Sequence, residues 1–257
     1  MSDASHRLRA TARAVGQALV LVAAVDLAGT LLHERASAAL IVQVAITEFG
    51  AGKLAVVWTA PRATAPTTGE VSRRGGVGVV LGLAAALFVL LVGRLAGSLS
   101  ASFAAPTSVM AIFVGLLTAA LTAARDELLL RGVVLRVVSG WSRGWAAVAA
   151  CALAAGARVW FLEDTTPQSA IVAAAAGAAL ACVWLVDKGA WMAVGANTAW
   201  IFASATLTHG VGVDVRGGPG PWGGEGLGLT GGRTSALAMG VIAAIAVAWW
   251  RRRREPG

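Results

Sequence analysis

The sequence predicts an all-α fold, a polytopic membrane bundle of about eight transmembrane helices with both termini cytoplasmic. Three observations predict it. Hydrophobic residues make up 57% of the 257 positions, charged residues only 13%, and mean hydropathy is +0.74. Soluble domains carry roughly 25% charged residues. Apolar runs recur at lengths near the roughly 20 residues that a helix needs to cross a bilayer. Basic residues gather in alternate loops, as the positive-inside rule requires of a membrane chain.

Residues 1–13 form a basic cytoplasmic tail with Arg7, Arg9 and Arg13. The first apolar run, 14–32, is too long for a typical signal-peptide core and is broken by Asp26, so it reads as an uncleaved span. The second run, 38–59, holds Glu48 near mid-depth and Lys53 nearer the next loop. A Pro/Thr/Gly loop at 61–76 carries Arg62, Arg73 and Arg74. The third run is 77–96, where Gly78 and Gly82 offer a small-residue packing face.

The fourth run, 103–124, is entered through Pro106, since proline is tolerated in a first turn. The fifth run, 145–162, contains Arg158, and a polar turn at 163–168 follows. The sixth, 169–186, is rich in Ala and Gly177. After the tight Asp187-Lys188-Gly189 loop comes the seventh, 190–207, with Asn197 at mid-depth. The stretch 208–233 is Gly-rich without hydrophobic period and reads as an irregular extramembrane loop holding His209, Asp214, Trp222 and Glu225. The eighth run, 234–250, closes with Trp249 and Trp250 as an interfacial aromatic belt, before a cytoplasmic basic tail at 251–257. Residues 14–250 thus form one transmembrane domain.

With eight spans, fifteen basic residues fall on the cytoplasmic side, and Arg35, Arg94, Arg216 and Arg233 on the other. The net charge of +8 is therefore a topology signal and not a nucleic-acid footprint. The abundance of Ala, Gly and Arg suggests a bacterium, and so an inner-membrane location. Cys151 and Cys182 lie within apolar runs without metal-ligand spacing, as small packing residues.

The chemistry concentrates at Arg125-Asp126-Glu127-Leu128-Leu129-Leu130-Arg131-Gly132, at the end of the fourth run. Two adjacent carboxylates in an apolar run are costly unless paired or functional. On a helix, Glu127 precedes Arg131 by four residues, the favourable direction for an ion pair. Asp126 points about 100° away from Glu127. One acid can be held by the arginine while its neighbour faces elsewhere.

This stretch resembles the Glu-Glu-x-x-x-Arg motif of the CPBP family, the CAAX-type prenyl endopeptidases and bacteriocin-processing proteins. The order of elements after it is similar as well: a short basic loop with Trp141 and Trp145, a span, a turn, a span, then a span entered through Gly189-Ala190-Trp191. The resemblance covers roughly 103–207. It implies intramembrane hydrolysis of a membrane-bound or prenylated peptide, with a motif carboxylate activating water in a cavity below the bilayer surface. Family histidines act there as ligands or stabilise the oxyanion. Carried over, Asp126 or Glu127 would be the base and Arg131 its partner.

The departures fall at decisive positions. Asp126 replaces the first glutamate. Arg158, in Ala154-Ala155-Gly156-Ala157-Arg158, stands at the first histidine, and guanidinium is a poor base and ligand. Asn197 stands at the second histidine, where it can donate to an oxyanion but not titrate, and Ile201 replaces the distal asparagine. His6, His33 and His209 all lie outside the spans, so no cofactor is expected and no zinc site with imidazole ligands can form in the core.

Three readings stay open. Hydrolysis persists in altered form at Asp126, Glu127 and Asn197. Alternatively the fold persists without protease activity, with Arg158 neutralising Asp126 or Glu127 so that Asp126 faces Arg158 and Asn197 across the bundle. Or the chain is an unrelated eight-helix transporter or channel component using Asp26, Glu48 and Lys53, residues that otherwise pair to join the first two helices. Membrane lipid is the expected surrounding in each case.

Overall fold

A computed structural model describes residues 2–56, 58, 66–103, 108–138, 144–161, 165–207, 213–223 and 228–254, with the side chains of 2–11, 207 and 254 excepted. Among the described residues, eight helices of unequal length stand where the eight apolar runs lie. They are α1 (Ser2–Leu31), α2 (Ala36–Lys53), α3 (Thr68–Leu95), α4 (Val109–Val138), α5 (Trp145–Trp160), α6 (Pro167–Asp187), α7 (Trp191–Ile201) and α8 (Arg233–Arg254). A π-helical stretch, Glu127–Val133, interrupts α4, and a second, Phe202–Leu207, continues α7.

Five helices are long and apolar enough to cross a membrane: Ala12–Leu31 within α1, α3, α4, α6 and Arg233–Arg253 within α8. α5 is apolar but shorter. α7 has only 11 residues before its π-helical end. Gln43, Glu48 and Lys53 reduce the hydropathy of α2. Leu19, Val80, Leu87, Phe113, Leu153 and Ile245 all point outward. A coat of large apolar side chains belongs against hydrocarbon and not water.

Several boundaries move from their sequence positions. α3 begins at Thr68 and not at 77, because Thr67 caps it by accepting from the Glu70 amide. Arg74, expected in a loop, is buried and pairs with Glu70 and, at 3.3 Å, with Asp187. It is a structural cation rather than a topology marker. α4 begins at Val109, capped by Ser108, and Pro106 lies outside the described residues. The start expected at 103 fails because Leu99–Phe103 (β1) is a strand. It pairs antiparallel with Val213–Gly217 (β2), Ala101 opposite Val215. The Gly-rich stretch, expected to be irregular, thus contributes a strand. Asp214 in β2 pairs with Arg216 at 2.7 Å, and Arg233 lies over the Trp222 ring at 5.7 Å. His209 and Glu225 fall outside the described residues.

α6 is capped by Thr166 with Pro167 in the first turn, and it ends at Lys188 in the left-handed region, φ 52°. That turn sends the chain straight back into α7. α7 packs mainly on α3, and also on α4 and α6. A methyl group at Gly78 or Gly82 would run into the Met192 or Ala196 carbonyl of α7. These glycines thus let the two backbones approach closely.

One apolar core surrounds the motif end of α4, with Leu128, Leu129 and Val133 against Cys151, Leu180 and Trp184. A second core, including Val89, Leu99, Val172, Leu229 and Met239, lies beneath the small sheet. Trp250, expected at the interface, is 3% exposed and sits edge-on to Trp145 at 5.5 Å. The last turn of α8 packs onto the start of α5, and this turns the indole inward.

Candidate functional site

The motif acids are placed by the π-helical stretch of α4. Glu127 opens it and Arg131 lies one turn on, with Nη1 3.3 Å from Glu127 Oε1. The same carboxylate oxygen accepts a hydrogen bond from Asn197 Nδ2 of α7 at 2.9 Å. Glu127 is fully buried, Arg131 is 3% exposed and Asn197 5%. Arg131 Nη1 also reaches the Asp126 carbonyl at 3.5 Å. Acid, guanidinium and amide form a closed junction between α4 and α7, made through Oε1 alone, with Glu127 Oε2 and Arg131 Nε buried beside it without a hydrogen-bond partner. Charges removed from water this far need such partners, because the desolvation cost is otherwise several kcal/mol per ion.

Asp126 faces away from this junction. Arg125 Nε donates to its Oδ1 at 2.8 Å, while Arg125 Nη1 donates to Gln43 Oε1 of α2 at 2.6 Å. Gln43 Nε2 in turn donates to the Val25 carbonyl of α1 at 3.2 Å. A polar relay therefore ties α1 through α2 to α4. Gln43 was not singled out from sequence, although one amide in the middle of the second apolar run was a readable signal.

Two expected contacts are corrected. Asn197 binds Glu127 and not Asp126, because the two acids diverge around the helix and only Glu127 turns toward α7. Arg158 makes its ion contact with Asp26 of α1, at 3.9 Å, and with neither motif acid. The pairing of α1 and α2 through Asp26, Glu48 and Lys53 is also absent among the described residues. Trp58 Nε1 donates to Glu48 at 3.4 Å, and Lys53 lies over the Phe49 ring at 5.1 Å.

A cavity of about 1100 Å³ lies between α1, α4 and α5. Asp126, Arg125, Arg158, Asp26 and Gln43 stand on its wall; Glu127, Arg131, Asn197, Glu48 and Lys53 do not. The structure thus divides the sequence-predicted set in two. Glu127, Arg131 and Asn197 meet in the closed junction, while Asp126 and Arg158 share the open cavity. A second cavity of about 480 Å³, between α3, α6, α7 and α8, is almost entirely apolar.

Residues 107–203 match the family model for type II CAAX prenyl endopeptidase Rce1-like proteins. The chain carries an Rce1-like domain, consistent with the CPBP family. The domain takes in α4 to α7 and both halves of the divided set; α1, α2, α3 and α8 lie outside the match. No match to a curated protein or to a solved structure is found.

Among the described residues, no three His, Cys, Asp or Glu side chains lie close enough to bind a metal. His33 stacks no chemistry on the site, its Nδ1 lying 3.0 Å from the Thr30 carbonyl on an exposed turn. The cavity acids already face guanidinium groups, which cannot ligate.

Proposed function

We propose that this multi-pass CAAX-protease-like membrane protein is a pseudoprotease, keeping the Rce1-like fold without peptide hydrolysis and without a metal. Its eight helices cross a bacterial inner membrane with both termini in the cytoplasm. The single observation that supports this most is the closed junction at Glu127. A general base must reach a water and, through it, a substrate carbonyl. Glu127 is buried with no exposure, and the oxygen that has partners serves Arg131 and Asn197. The asparagine that could have donated to an oxyanion is already donating to the carboxylate. Asp126 does face the cavity, but its Oδ1 already accepts from Arg125 Nε at 2.8 Å. The other carboxylate on the cavity wall, Asp26, faces Arg158, and that guanidinium occupies the position of the family histidine.

The direct test is cleavage of a prenylated, membrane-bound peptide by the purified full-length protein. No product above that of protein-free vesicles is expected from wild type. Cleavage by wild type that disappears in Asp126→Ala or Glu127→Ala would overturn the reading.

A further inference from the structure

We propose that the cavity between α1, α4 and α5 binds a single-chain zwitterionic amphiphile, one with an ammonium and an acidic group at one end of an alkyl tail. This goes beyond the loss of peptidase activity and does not depend on it.

The cavity is segregated along its length. On α1, Asp26 and Thr30 stand at one end, and Val22, Leu19 and Val15 continue toward the N-terminus. On α4, Arg125 and Asp126 stand at one end, and the wall continues through Val133 and Val137 to Val138. α1 meets the last turn of α4, Val134–Val138, while Asp26 reaches Arg158 of α5. The charged ends of both helices therefore lie together, and their apolar faces run in one direction. At 1.5 Å per residue, the apolar stretch from Asp26 back to Val15 is about 16 Å long. That suits an alkyl tail of roughly a dozen carbons.

The charged end selects the head. It carries two guanidinium groups and two carboxylates, so its formal charge cancels. A lone anion there would meet Asp26 and Asp126, and a lone cation would meet Arg125 and Arg158. A zwitterion finds a partner for each of its charges, which is electrostatic complementarity of the kind that sets specificity. The two pairs are unequal. Arg125 and Asp126 are close, at 2.8 Å, and braced by Gln43. Arg158 and Asp26 are at 3.9 Å, an ion contact too long for a hydrogen bond, with side chains 22% and 62% exposed. The open pair is where a head enters, with its acidic group on Arg158 and its ammonium on Asp26.

The competing explanation is a loose interhelical ion pair that merely holds α1. Native mass spectrometry of the full-length protein in maltoside micelles separates the two. Dodecanoyl lysophosphatidylethanolamine, the chain-matched lysophosphatidylglycerol and dodecylamine are each titrated. The ethanolamine lipid should bind one per chain and about tenfold more tightly than the other two. Asp26→Asn should bring the ethanolamine and glycerol lipids to similar affinity. Arg158→Met should weaken both phospholipids by about tenfold. Ala157→Phe fills the cavity from an exposed wall position and should abolish binding while the melting temperature holds. It decides the matter should Arg158→Met not fold. Equal binding of all three amphiphiles, or ethanolamine-lipid binding unchanged in Ala157→Phe, would overturn the proposal. A cleavage assay reads none of these outcomes, so failure here leaves the pseudoprotease reading standing, and the reverse holds too.

Discussion

Replacing Glu127 by leucine tests whether the closed junction is structural. The substitution leaves Arg131, 3% exposed, with its charge uncompensated in the core. Breaking a buried pair in this way costs about 3–5 kcal/mol. It also strips Asn197 Nδ2 of its acceptor, a further cost of about 1–3 kcal/mol for a buried amide. In Glu127→Leu with Arg131→Met both charges go, and apolar groups of similar volume fill the space. That exchange is often neutral, so only the asparagine cost remains. The single variant should therefore be less stable than the double by about 3 kcal/mol or more, and Arg131→Met alone completes the double-mutant cycle that isolates the coupling. Equilibrium unfolding with increasing SDS mole fraction, followed by far-UV circular dichroism in mixed micelles, measures it. A coupling below about 1 kcal/mol would refute the junction, since it would mean that each charge is served by water or by other groups.

Four more perturbations follow from the packing. Gly82→Leu should separate α3 from α7 and cost at least about 1–3 kcal/mol in the same assay, through overpacking against the Ala196 carbonyl and Ala199 methyl. Gly76→Ala, where the added methyl meets open space in a helix, should gain about 0.5–1 kcal/mol. Arg74→Met leaves Asp187 buried without its cation and should destabilise by about 3 kcal/mol, seen as a lower melting temperature in detergent. Trp250→Ala removes the ring packed on Trp145 and should cost about 3–5 kcal/mol if the indole is core, but nearly nothing if it lies in the interface.

What the sequence made legible was mostly local. The Glu127–Arg131 pair follows from a four-residue spacing, and the helix positions follow from apolar runs bounded by caps and turns. Contacts between distant segments were not encoded in any spacing. Arg158 and Asp26 lie far apart in the chain, and Arg158 had several acids it could meet. Only the placement of α1 against α5 decides among them. Asn197 was read as lying near the motif, yet which of two adjacent acids it meets depends on the rotation of α4, which the π-helical stretch sets. The β1–β2 pairing was hidden for another reason. Leu-Ser-Ala-Ser-Phe and Val-Asp-Val-Arg-Gly do alternate apolar and polar residues, but each is very short and its pairing partner lies far along the chain. Trp250 was misjudged because aromatic residues beside a basic run have the composition of an interface, whichever way they turn.

The ion pair of Glu127 and Arg131 has a consequence for how the chain enters the bilayer. Both partners belong to one helix, so the pair exists as soon as α4 has formed and needs no neighbour to assemble it. A lone charge at the centre of an inserting segment costs about 2.5–3.5 kcal/mol on the translocon scale. Because acid and base travel together, α4 enters hydrocarbon with these two charges already neutralised against each other. Asn197 comes later in the chain, and α7 meets a site whose charge is already balanced. What it adds is an amide donor that fixes where α7 stops rotating. The junction thus has one contact within a helix and one between helices, and the second lies later in the chain.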